Sequence, residues 1–158
     1  MINELTTPST IVTFKLNSDG IGKSQTIFRE GSPHMIKVDA SSEAGGKGTA
    51  PSPISYVLSA LISSLQVTAQ IVAKDFGAEL RGLEFDIEAS LDTAVFIGGA
   101  QEGNPNIQDV IIKAIVETNM SDDLFEKLHS ETTRRSPIYQ LFFRSGTNIT
   151  AQWIRRSL

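Results

Sequence analysis

Between Gly48 and Ala73 the chain carries no charged side chain. A run of that length must be covered by lipid or by protein, and its polar content decides which. Pro51, Pro53, Ser55, Ser59, Ser63, Ser64, Gln66, Thr68 and Gln70 interrupt it too often for a bilayer span, which needs about 20 predominantly apolar residues. Ile54, Val57, Leu58, Leu61, Ile62, Leu65, Ala69 and Val72 recur on the 3.6-residue period and predict a helix over Pro53–Phe76, stopped by Gly77. Ala60, Val67 and Ile71 lie off that stripe, so the helix is expected to be covered nearly all round. A chain of 158 residues has little material to do this alone. A second copy would supply it, which makes a homodimer the expected assembly.

The remaining segments frame this helix. Val12, Phe14 and Leu16 alternate with Ile11, Thr13 and Lys15, and Thr26 to Arg29 forms a weaker strand pattern. In a third, His34, Ile36 and Val38 share one face while Met35, Lys37 and Asp39 share the other. Gly20-Ile21-Gly22 and Gly31-Ser32-Pro33 supply turns, predicting an antiparallel meander. Ala40 to Pro53 reads as a flexible loop. Its Gly45-Gly46-Lys47-Gly48 is not a P-loop, because Ser41 and Gly48 stand where Gly and Ser/Thr are required.

Downstream of the helix, Leu83, Phe85, Ile87, Ala89 and Leu91 point inward, against outward Glu84, Asp86, Glu88, Ser90 and Asp92. A strand over about Ile107 to Thr118 follows. Ser121-Asp122-Asp123 caps a helix whose negative end suits Arg134-Arg135, and Ile149, Ala151 and Trp153 mark a closing strand. Val95 to Gly99 either extends a hairpin or forms an apolar flap, the first being preferred. This order is α+β, in a single domain over 1–158.

Composition narrows the chemistry. Eighteen acidic against 14 basic residues give a net charge of −4, which does not suit nucleic acid or an anionic membrane, so neither partner is expected. The absence of Cys removes thiol catalysis, thiolate zinc and Fe–S clusters. His34 and His129 are the only imidazoles, so neither a metal cluster nor a cofactor is expected. His34 reads as a structural strand residue and His129 as solvated on a charged helix. Met1 to Thr10 has no apolar core of a secretory signal, and a cytoplasmic location is expected.

Several motifs occur together in a fixed order. His34-x-Ile36-x-Val38-Asp39 precedes Gly45-Gly46 and Pro51-x-Pro53. Ala60-Leu61-Ile62-Ser63-Ser64 follows with Thr68, and late in the chain comes Arg135-Ser136-Pro137-Ile138-Tyr139. In this set the chain resembles the OsmC/Ohr superfamily, in its general OsmC-like branch, over roughly Ile11 to Trp153. The resemblance implies antiparallel sheets wrapped around a long buried central helix, in an intertwined homodimer with two interface pockets. It also implies an oxidative-stress setting in which active members reduce organic hydroperoxides with two Cys. Those Cys positions correspond to Ser64 and Ser136. A Glu that active members carry about ten residues before the helix Cys falls near Ile54 and Ser55. Arg135 and Pro137 flank the second position.

A thiolate attacks the O–O bond and becomes a sulfenic acid, which a second thiol resolves to a disulfide. A hydroxyl ionises far above neutral pH and has no such oxidation ladder. The sequence therefore predicts an OsmC-like protein with a degenerate active site, which binds a small apolar ligand at an interface cleft and reduces nothing through thiols. Two alternatives stay open. A Ser-dependent hydrolase or transferase would need a base beside Ser64 or Ser136. A structural dimer would have its cleft filled by its own side chains. Ser136 is most simply a helix cap, and Arg134, Arg135 and Arg144 are most simply dipole partners, although an anion near the Ser136 cap would also suit them.

Overall fold

Gly22 has φ 63, the left-handed value that a two-residue hairpin loop asks of glycine, and it sets the first turn of the chain. The turn joins β1 (Leu16–Ile21) to β2 (Ser24–Arg29), with Ile21 opposite Ser24, and β3 (Met35–Val38) completes an antiparallel sheet in the order β1-β2-β3. The computed structural model describes residues 10–158. The stretch read as free of a signal sequence therefore lies, apart from Thr10, outside the described residues. The chain divides into two units, Met1–Pro53 and Ile54–Leu158.

Three expectations for the first unit need correction. The alternation around Val12 and Phe14 precedes the first strand, and the turn falls at Gly22-Lys23 rather than across Gly20-Ile21-Gly22, leaving Gly20 paired with Gln25. Pairing register, fixed by the two-residue loop, overrides the upstream hydrophobic pattern. His34 precedes β3 and is exposed; it is not a strand residue.

The loop after β3 is tied down by one carboxylate. Asp39, 1 % exposed, accepts from the Ala40 N–H at 2.9 Å, the Thr49 N–H at 3.0 Å and the Thr49 hydroxyl at 2.8 Å. Gly46 lies against Ala40, where a Cβ would come within 2.0 Å of the carbonyl oxygen, so only glycine fits. Donation by the Thr49 N–H and hydroxyl, helped by the Ser24 hydroxyl and Ala40 N–H, outweighs burial and lowers the Asp39 pKa to about 2. A depressed carboxylate pKa stabilises the fold above its unfolded value of 3.8, and that contribution disappears as pH falls toward 2. Acid titration followed by NMR should show the Thr49 amide losing exchange protection in this window. Asp39→Asn should remove that pH dependence. A Thr49 amide insensitive to acid would contradict the assignment.

In the second unit, α1 (Pro53–Asp75) ends as predicted. Gly77 (φ 67) donates to the Lys74 carbonyl at 3.0 Å and Ala78 to the Ala73 carbonyl at 2.9 Å, a Schellman stop. β4 (Gly82–Leu91) shows the expected alternation, with Glu84, Asp86, Glu88 and Ser90 exposed and the intervening residues half-buried. Then come α2 (Thr93–Phe96), β5 (Ile107–Glu117), α3 (Asp122–Arg135), α4 (Pro137–Arg144) and β6 (Asn148–Arg156). β4 pairs antiparallel with β5, while the α3–α4 crossover brings β6 in parallel to β5.

Val110, Ile112, Ala114 and Val116 of β5 are fully buried beneath the helices. Leu61 and Leu65 of α1 join Phe142 at one end of this core, and Ala69 and Val72 join Leu128 at the other. Each buried Val, Leu, Ile or Phe among them contributes roughly 1.5–3 kcal/mol, and each Ala less than about 1 kcal/mol.

One further difference stands out. Val95 to Gly99 neither extends a hairpin nor borders the cleft described below. The Asp92 carboxylate accepts from the Ala94 N–H at 2.9 Å and turns the chain into the short α2 instead. As expected for a chain of this length, α1 is not covered all round: the β4–β6 sheet, α3 and α4 pack on its inner face. Val67 is 61 % and Ile71 47 % exposed on the opposite side. By length and composition α1 alone among the described residues qualifies as a membrane span, yet its inner face is seated in the core. It is a core helix.

Candidate functional site

Ser136 joins two helices at one residue. Its N–H donates to the Thr132 carbonyl at 2.9 Å, closing α3, and its Oγ accepts from the Tyr139 N–H at 3.4 Å, opening α4 with Pro137 at the first position. The residue is fully buried. The Oγ of Ser64, on α1, lies 2.9 Å from the Ser136 Oγ although the two are 72 residues apart. Either hydroxyl can donate. The Ser136 Oγ, which accepts from Tyr139, keeps a second lone pair for this contact.

Outside lies a cleft of 460 Å³ within the second unit. Ser63, Ser64, Val67, Thr68 and Ile71 of α1 form one wall, and Arg135 and Pro137 of the α3–α4 junction form the other. Thr68 is buried, whereas Val67 and Ile71 stand open as a ridge. The Arg135 guanidinium donates to the Asp75 carboxylate at 2.6 Å, so the cation bordering the cleft is already balanced. Arg134 turns away in a two-pronged pair with Glu131 at 2.7 and 2.8 Å, and Arg144 occupies the last turn of α4.

Of the positions singled out by sequence, the structure brings Ser64, Ser136, Arg135 and Pro137 together. Ile54 and Ser55 are exposed near the start of α1 and do not border the cleft. With 3.6 residues per turn, nine or ten positions carry them more than two turns along the helix from Ser64. Sequence reasoning passed over Asp75 as a partner, and it placed Val67 and Ile71 on α1 without giving them a wall. Their recurrence with Ser63, Ser64 and Thr68 on one helical face was the available signal.

The imidazoles serve elsewhere. His129 is half-buried rather than fully solvated: it stacks on Trp153 at 5.2 Å, with Phe85 and Phe125 meeting the same indole edge-on, and burial lowers its pKa. Neither His borders the cleft, and Ser64 is partnered by a hydroxyl rather than a base. Among the described residues no cluster of His, Asp and Glu could hold a metal ion.

The family model for OsmC-like proteins matches residues 46–152, a span containing α1, the Ser pair and most of β6. The chain belongs to the OsmC-like family. Its fold is shared with solved structures at low identity. An OsmC-like protein from Mycoplasma pneumoniae superposes with a TM-score of 0.73 at 14 % identity, covering 90 % of this chain and 98 % of that one. For an organic hydroperoxide resistance protein from Legionella pneumophila the values are 0.69, 14 %, 92 % and 99 %. For the organic hydroperoxide resistance protein OhrB of Bacillus subtilis they are 0.61, 13 %, 90 % and 98 %. No curated protein matches the chain. This OsmC-like protein contains no cysteine, so no thiol stands at its cleft.

Proposed function

We propose that this OsmC-like protein is a cytoplasmic homodimer that binds a small apolar ligand in the cleft beside Ser64 and does not reduce hydroperoxides. The observation that carries the reading is the Ser64–Ser136 contact at 2.9 Å on the wall of an apolar cleft. Two hydroxyls held together at the junction of three helices keep the geometry of a reactive pair without a group that can carry electrons. A volume of 460 Å³ is within the range of small-molecule sites. The Val67–Ile71 ridge supports the assembly. A second copy laid over it would cover the open side of α1 and roof the cleft.

The reading is tested by denaturing mass spectrometry of small molecules extracted from freshly purified protein, beside a Val67→Trp variant whose indole fills the cleft. A neutral or weakly polar compound retained by the native protein and absent from the variant is the expected result. A native sample that carries nothing, and binds none of a panel of medium-chain apolar compounds, would contradict it.

A further inference from the structure

Ser136 and Arg135 are neighbours in the chain, yet they reach α1 at two distant points. Ser136 meets Ser64 at 2.9 Å, and Arg135 meets Asp75 at 2.6 Å. Ser64 and Asp75 lie three turns apart on one face of the helix, about 16 Å along its axis. Only a side chain at nearly full stretch spans that interval, so the Arg135 stem runs along α1 and its guanidinium lies at the Ile71 end. The cleft occupies the space between these two links. Ser63 and Ser64 stand at one end, Val67 and Thr68 come a turn later, and Ile71 a turn after that. Arg135 borders the cleft and Asp75, one turn beyond Ile71, does not.

We infer that the Arg135–Asp75 ion pair is the end stop of the cleft and sets the length of its ligand. That ligand is an unbranched aliphatic compound, its polar end among the Ser63 and Ser64 hydroxyls and its tail toward the guanidinium. The inference rests on the reading that the cleft binds a small apolar ligand. From Ser63 to Ile71 the helix rises about 12 Å, the length of roughly nine zigzag carbons at a C–C bond near 1.5 Å. Up to that length each methylene leaves water for Val67, Ile71 and the Arg135 stem, and raises affinity about fourfold. The next methylene meets two charged groups or turns out into solvent. It gains nothing, because stripping water from an ion pair offsets the apolar contact. The paired side chains are 33 % and 53 % exposed, so the pair contributes little to stability and variants that lose it should fold.

Competition of the 1-alkanols from pentanol to dodecanol against the neutral fluorophore 1-aminoanthracene reads this limit. For the native protein, affinity should climb about fourfold per carbon and level off near nine carbons. Arg135→Met keeps the stem and loses the guanidinium, so the levelling point should move about two carbons or more toward longer alkanols. Ile71→Trp, one turn nearer the Ser pair, should move it toward shorter ones. Absolute affinity falls with any loosening of the cleft, whereas the levelling point moves only if its end moves. A native affinity that climbs unbroken to dodecanol would overturn the inference and leave ligand binding standing. So would a levelling point that either variant leaves in place. Absence of fluorophore binding, together with absence of alkanol adducts in native mass spectrometry, would overturn the ligand-binding reading and the inference with it.

Discussion

Under mild oxidation the double variant Ser64→Cys/Ser136→Cys is expected to close an intramolecular disulfide and to gain about 4 kcal/mol of stability. The magnitude follows from the loop such a bond would close, since the two positions lie 72 residues apart. The geometry is favourable because the two Oγ atoms already approach to 2.9 Å, and C–S bonds, longer than C–O bonds, bring the terminal atoms closer still. Ser136 is fully buried, so its thiol would be shielded from other oxidants, while Ser64 opens to the cleft. Intact mass should fall by two hydrogens, and the urea midpoint should rise only in the oxidised form. A variant that folds yet keeps two titratable thiols would show that the helices do not hold these positions together in solution.

A carboxylate placed on the open ridge of α1 should have an effect of similar size on assembly. Val67 is 61 % exposed in the single chain, and the proposed dimer buries it. A two-fold interface repeats every substitution, so Val67→Asp would bring two unpaired carboxylates into an apolar contact. A total penalty on the order of 4 kcal/mol corresponds to roughly a thousandfold weaker association. Sedimentation should find a native dimer at micromolar concentration and a Val67→Asp monomer with unchanged far-ultraviolet circular dichroism. A native protein that sediments as a monomer throughout would contradict the dimer.

How far the sequence could be read depended on the range of the interactions involved. The span of α1, its Gly77 stop, the alternation of β4 and the caps at Ser121 and Ser136 are local properties, and each lies where pattern and capping chemistry put it. The pairing of Ser64 with Ser136 crosses much of the chain. It followed from family resemblance, because no spacing rule links a mid-helix serine to a distant cap. The first hairpin was misplaced because the Val12 and Phe14 alternation looks like a strand, whereas backbone register begins at Leu16. His129 was misjudged because its helix is highly charged, and stacking on Trp153 depends on a strand far along the chain. Asp75 went unnoticed for the same reason, since its partner Arg135 is 60 residues away. The loop around Gly45-Gly46 read as flexible because glycine permits motion. Asp39 and Thr49, ten residues apart, pin it instead.

A peroxidase assay bears most directly on the central claim, that hydroxyls have replaced the electron-carrying groups at a preserved pair of positions. Purified native protein is mixed with cumene hydroperoxide and excess dithiothreitol, and peroxide loss is followed against a protein-free blank. The account predicts a rate indistinguishable from the blank at every protein concentration. Consumption that rises in proportion to the native protein would contradict it.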